Sequence, residues 1–259
     1  MAKALGLASL LLALSLIPVA AAEPEVQEQV QADISTRDIS IQSNFTGIEI
    51  LIFGSIDFSH TPAQDEKPYD VIVVIRSPAQ ALVARRKERV AGIWVNGASE
   101  LFPAVPGFYA VLSSRPFRAI APEATLKSLG IGLSNLNLGT STDVSPADQA
   151  FRSAVIRLKM QQLLFQEKDD GISFIGRSLF RGTVELPVNV PIGRYISEVY
   201  LFRDGKLLSK NESTLQVNKV GFERVVYLLA FRYPFIYGLL SVVIAVIAGL
   251  IGWVAFRRE

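Results

Sequence analysis

The sequence predicts a mainly β fold: an Ig-like β-sandwich of one or two lobes with one or two α-helices, followed by a single C-terminal transmembrane helix. Three observations carry that reading. Short apolar runs of strand period recur through the middle of the chain, Pro and Gly punctuate them, and both ends of the 259-residue chain are strongly apolar.

Taken in order, residues 1–22 read as a signal peptide. Lys3 supplies the positive start, an Ala/Leu-rich core follows, Pro18 breaks the helix, and Ala20-Ala21-Ala22 offers small side chains to a signal peptidase. The exported portion then begins at Glu23, and residues 23–144 are expected to form an N-terminal sandwich-like lobe. Within it, Ile48, Ile50 and Ile52 alternate with Glu49, Leu51 and Phe53 between Gly47 and Gly54, a strand between two turns. Residues 71–75 are an unbroken β-branched run suited to a strand buried on both faces, and residues 91–95 and 109–112 add two more strands.

Residues 145–170 are expected to be an amphipathic helix. Ser145 caps it, Pro146 is tolerated at the first helical position, and Phe151, Ala154, Val155 and Leu158 form the apolar stripe before Gly171 ends it. The polar face carries Arg152, Arg157 and Lys159, read as a solvated surface. Residues 171–219 form a second β-rich segment: 183–188 and 196–202 alternate, and Asp204-Gly205 is a two-residue hairpin signal. Two turns echo each other, since Val105-Pro106-Gly107-Phe108-Tyr109 and Val190-Pro191-Ile192-Gly193-Arg194-Tyr195 both lead into a strand headed by tyrosine. That echo suggests two lobes joined by the helix.

Residues 220–233 read as a juxtamembrane amphipathic helix, with Phe222, Val225, Val226, Leu229 and Tyr233 at three- and four-residue spacing. Pro234 then opens the span at 234–256, free of charged residues and long enough to cross hydrocarbon, which takes about 20 residues. Its Leu, Ile, Val and Phe side chains each favour insertion by roughly 0.3–0.6 kcal/mol. Arg257 and Arg258 in the tail, 257–259, agree with a cytoplasmic C-terminus. A signal peptide and a stop segment together predict a single-pass protein of the bacterial inner membrane with its N-terminal domain in the periplasm.

Composition excludes several chemistries. With no cysteine and one histidine, thiol nucleophiles, thiolate metal sites and two-imidazole mechanisms within one subunit are ruled out, and no cofactor is expected. A net charge of +2 gives no general field for nucleic acid. The densest basic cluster is Arg85, Arg86, Lys87 and Arg89, expected at a hairpin, where it either binds an oxyanion or an anionic membrane surface or simply guards a sheet edge. Trp94 and Asn96 line a pocket with Tyr109, Ser113, Ser114 and Arg115 if their strands are neighbours; otherwise Trp94 belongs to the core. His60, near Asp57, Ser59, Asp65 and Glu66, is either a surface histidine or the base of a hydrolase, although no Gly-x-Ser-x-Gly turn presents a nucleophile.

The block Arg85-Arg86-Lys87-Glu88-Arg89-Val90-Ala91-Gly92-Ile93-Trp94-Val95-Asn96, followed by Val105-Pro106-Gly107-Phe108-Tyr109-Ala110-Val111 and Ser114-Arg115-Pro116, resembles the alphaproteobacterial transmembrane family called Alph_Pro_TM. Leu186-Pro187, Val199-Tyr200-Leu201-Phe202-Arg203-Asp204-Gly205, Gly221-Phe222-Glu223 and the arginine-rich tail resemble it as well. The resemblance implies a leader, a periplasmic region and one C-terminal span, in genes lying near those of TauE/SafE-type sulfite exporters. It brings no activity, so a non-enzymatic accessory protein with such a transporter as partner is the function expected, ahead of an anion-binding module acting alone.

Overall fold

A computed structural model describes residues 28–42, 44–57, 69–139, 146–219 and 222–256. The signal-peptide segment, His60 with its neighbours at 58–68, the Ser145 cap and the Arg257-Arg258 tail lie outside the described residues. In chain order the elements are β1 (Gln29–Ile34), β2 (Asp38–Ile41), β3 (Ile48–Asp57), β4 (Asp70–Arg76), β5 (Ala79–Val90), β6 (Ile93–Pro106) and β7 (Tyr109–Ser113). Helices α1 (Phe117–Ile120), α2 (Glu123–Leu129) and α3 (Pro146–Gln161) precede β8 (Phe165–Lys168), β9 (Ile172–Ile175), β10 (Leu179–Leu186), β11 (Gly193–Arg203) and β12 (Lys206–Lys219). Helices α4 (Phe222–Arg232) and α5 (Pro234–Phe256) follow.

The strands form a sheet ordered β1-β3-β10-β9, a second ordered β2-β12-β11-β4-β7-β8, and a separate ribbon of β5 and β6. The first sheet is two-faced because its residues alternate: Phe180, Val184 and Leu186 of β10 and Ile50, Ile52 and Ile56 of β3 point inward, while Leu51, Phe53 and Arg181 point out. The centre of the second sheet, β11, β4 and β7, is covered on both sides. Leu112 of β7 reaches Gly182 in the facing sheet. On the other face of β7, the Tyr109 hydroxyl donates to the Gly130 carbonyl at 3.4 Å and accepts the Gly132 N–H at 3.0 Å, so the segment after α2 packs there. The β-branched run of β4 is therefore buried along residues 70–75, as its composition requires.

The mainly β expectation holds, with the apolar helix at the C-terminus. Two pairings, β2 with β12 and β7 with β8, are parallel, unlike an all-antiparallel sandwich. The division into a lobe over 23–144 and a second segment over 171–219 gives way to one interleaved sandwich around one core: each sheet takes strands from both stretches. The reason lies in β4, which needs partners on both edges and finds β7 on one side and β11 on the other. The Pro/Gly-turn echo marks these two flanking strands, since Arg76 of β4 stands opposite Tyr109 and opposite Ile196.

The helix expected over 145–170 stops at Gln161. Leu163 adopts a left-handed φ of 59°, its N–H bonds the Met160 carbonyl at 2.9 Å, and the Leu164 N–H bonds that of Lys159 at 2.9 Å, a Schellman end. Phe165 then enters the core in β8, with its ring edge-on to Tyr109 at 6.1 Å. At the C-terminus, Pro234–Val254 is an apolar stretch of 21 residues with mean hydropathy 2.5, none of it buried. The Phe231 ring of α4 is also exposed.

Candidate functional site

The element that stands apart from the sandwich is the β5–β6 ribbon. Its base is rooted: Phe102 and Val105 are buried, Leu82 and Ala84 half-buried, and the Ala104 N–H bonds the Leu138 carbonyl at 3.2 Å, covering that edge of β6. Beyond Arg85 no residue of either strand is buried, so the outer part projects by about 20 Å at the usual strand rise.

Paired residues of an antiparallel ribbon share a face. Ser99 stands opposite Arg85, Asn96 opposite Lys87 and Trp94 opposite Arg89, and a bulge between Arg85 and Lys87 keeps the pairing in step. Three cations, Asn96 and the Trp94 ring thus occupy one face. Arg86 lies on the other face, where its Nε and Nη2 donate to Glu88 Oε1 at 3.1 and 3.0 Å. The Glu88 carboxylate rests over Gly97, where any Cβ would collide with it. At the tip, Ala91 (φ 49°) and Gly92 (φ 85°) make the two-residue turn. Beside it Ile93 is 68% and Trp94 65% exposed.

Several residues lie elsewhere than their sequence predicts. The strand expected over 91–95 starts at Ile93, because Ala91-Gly92 is the turn. Arg85, Arg86, Lys87 and Arg89 do lie at a hairpin, along its first strand. Trp94 is neither core nor pocket lining. Its expected pocket partners are elsewhere, because β6 pairs with β5 and not with β7, although the two are consecutive. Tyr109 and Ser113 are wholly buried, and burial pushes the Tyr109 phenol up to about 12. Arg115 is committed to Asp70, which is buried. Its Nε donates to Oδ1 at 2.6 Å and its Nη2 to Oδ2, while Ser114 Oγ donates to Oδ1 at 3.1 Å. An anion at Arg115 has to displace a bidentate carboxylate.

A second feature had no sequence forecast. Between β5 and α3 runs a cleft of about 570 Å³, walled by residues 82–86 on one side and by Phe151, Ala154, Val155 and Leu158 on the other. The signal for it was the helix stripe itself, read as ordinary packing. Ala150 and Ala154 are too small to close the gap, and Leu158 stays more than half exposed. Nor is the polar face of α3 simply solvated. Arg152 donates to the carbonyls of Ser134 at 3.1 Å and Leu136 at 2.5 Å, and burial lowers both Arg152 and Lys159 from their usual values.

Comparison with known proteins adds a family match. The model described as "Putative transmembrane protein (Alph_Pro_TM)" matches residues 29–258, the ribbon and the apolar helix included. Among solved structures, the sporulation control protein Spo0M from Bacillus subtilis is similar at 10% identity and a TM-score of 0.29, over 78% of this chain and 53% of that one. This chain spans about half the length of that structure, and at that TM-score the two folds are not equated. No curated protein matches.

Proposed function

Because the chain belongs to the Alph_Pro_TM family of transmembrane proteins, we propose that it is a non-enzymatic accessory protein of the bacterial inner membrane, its β-domain on the periplasmic side and its ribbon docked on an integral membrane protein. One observation carries the reading: Arg85, Lys87, Arg89 and Trp94 share an uncovered face on an arm that contributes nothing to the core beyond its base. Arg and Trp are the residues that most often dominate an interface, and a projecting ribbon reaches a partner without moving the domain. The α5 tether keeps the domain beside the bilayer, so the effective concentration for a membrane partner is high and modest contacts suffice.

Orientation follows from the signal-peptide reading of residues 1–22 and the Arg257-Arg258 tail. The family resemblance suggests the partner: a TauE/SafE-type transporter of sulfur oxyanions or organosulfonates. The free-standing anion-binding alternative loses the site first expected for it, since Arg115 is held by Asp70.

The test is co-purification from native membranes with Arg85, Arg86 and Arg89 all replaced by Glu. The partner is expected to be lost while expression and membrane retention of the variant stay at wild-type levels. Undiminished co-purification removes the ribbon from the account.

A further inference from the structure

The β5–α3 cleft has the build of a peptide site. Five consecutive residues, 82–86, line it. Side chains of a strand alternate between faces, so a wall made of consecutive residues is a strand presented edge-on. That edge of β5 is unpaired among the described residues, since β6 is its only strand neighbour. Unpaired edges are ordinarily guarded by charge, and β5 follows the rule only from Arg85 outward. Leu82-Val83-Ala84, where the cleft lies, carries no charge.

Helix α3 supplies the opposite wall, with Phe151, Ala154, Val155 and Leu158 giving an apolar floor. The volume, about 570 Å³, is that of a ligand site rather than a packing defect, since such sites run from about 300 to 1,000 Å³. The rim is cationic: Arg85, Arg86, Arg157 and Lys159 line the cleft, and no carboxylate does. Arg86 is tied to Glu88, whereas Arg85 and Arg157 have no ion pair among the described residues.

From these observations we infer that the cleft binds an extended peptide segment with alternating acidic and apolar residues, which adds to β5 as a third strand of the ribbon. Backbone groups of residues 82–86 hold the peptide main chain, the α3 stripe takes the apolar side chains, and Arg85 and Arg157 face the acidic ones. Whose segment it is rests on the accessory reading above; the chemistry of the cleft does not.

The probe is a labelled synthetic octapeptide of alternating Glu and Val, titrated by fluorescence anisotropy against the full-length chain in zwitterionic nanodiscs. A Lys/Val octapeptide serves as control. The Glu/Val peptide is expected to bind about tenfold or more tightly than the control, and Arg157→Glu, at an exposed position, to reduce that preference about tenfold. Ala154→Trp, which fills the cleft, is expected to abolish binding, and added peptide to slow amide exchange at residues 82–86.

Bound peptide without that protection overturns strand addition. Binding that survives Ala154→Trp overturns the location, and equal affinity for both peptides overturns the charge argument. A dodecanoate probe that binds and is lost in Ala154→Trp, with neither peptide binding, assigns the cleft to an acyl chain and overturns the proposal. Because the peptide needs no partner, its failure strikes the cleft alone; co-purification after charge reversal at Lys87 and Arg89, which do not line the cleft, strikes the ribbon alone.

Discussion

Arg115 presents to the sequence as a free cation and to the fold as half of a locked pair. Its partner Asp70 is 45 residues away, and only the antiparallel pairing of β4 with β7 brings them together. Asp70 is buried while Arg115 stays partly exposed, so Arg115→Ala strands a carboxylate in the core. The expected loss is about 2–4 kcal/mol in urea denaturation, and a change near zero contradicts the structural role. Glu28 offers a second test. Burial pushes its carboxyl up, but its own backbone N–H, Arg203 at 2.6 Å and Tyr69 at 3.2 Å outweigh that and hold it below the usual glutamate value. A depressed carboxyl stabilises the fold above its unfolded pKa, and that share is lost as pH falls through the lower folded value. Stability should therefore decline as pH drops below 4.5, and Glu28→Gln should flatten part of that decline. An acid limb unchanged by the substitution contradicts the pairing.

Elements were legible where a local signal was complete. Asp204-Gly205 announces its hairpin because Asp and Gly both tolerate the left-handed backbone the turn needs, with φ of 52° and 77°. Ala91-Gly92 makes the same kind of turn at 49° and 85°, but an alanine in the first position hides it, and the flanking residues read as one strand. Leu163 hides the end of α3 in the same way, at φ 59° where glycine or asparagine is usual, so the apolar stripe reads on into β8. Both residues hold a conformation costing a non-glycine side chain about 1–2 kcal/mol, much of which asparagine avoids. Ala91→Asn and Leu163→Asn should each stabilise the protein by about 0.5–1 kcal/mol, read from the denaturation midpoint for Leu163 and from ribbon amide exchange for Ala91. Loss of stability in either contradicts the assigned turn.

At the scale of the whole molecule, the C-terminal span was legible to its ends because length and hydropathy are local properties: the stretch 234–256 is α5. Strand interleaving was not, because β2, β3 and β4 find partners among β7 to β12 over separations that no local pattern encodes. The ribbon was half legible. Its charges and tryptophan stand in the sequence, while their common face depends on a register that only the pairing fixes. The absence of cysteine allows a clean topology test. Ser99→Cys on the ribbon should react with a membrane-impermeant maleimide in spheroplasts, and Glu259→Cys only after lysis; the reverse pattern inverts the proposed orientation. The claim on which the functional account turns is that the ribbon face touches another membrane protein. Placing p-benzoylphenylalanine at Trp94, irradiating native membranes and identifying the adducts by mass spectrometry tests it most directly. An adduct with an integral membrane protein is expected, and it disappears when Arg85, Arg86 and Arg89 are reversed to Glu; adducts with lipid alone, or none from a well-expressed chain, contradict docking through the ribbon.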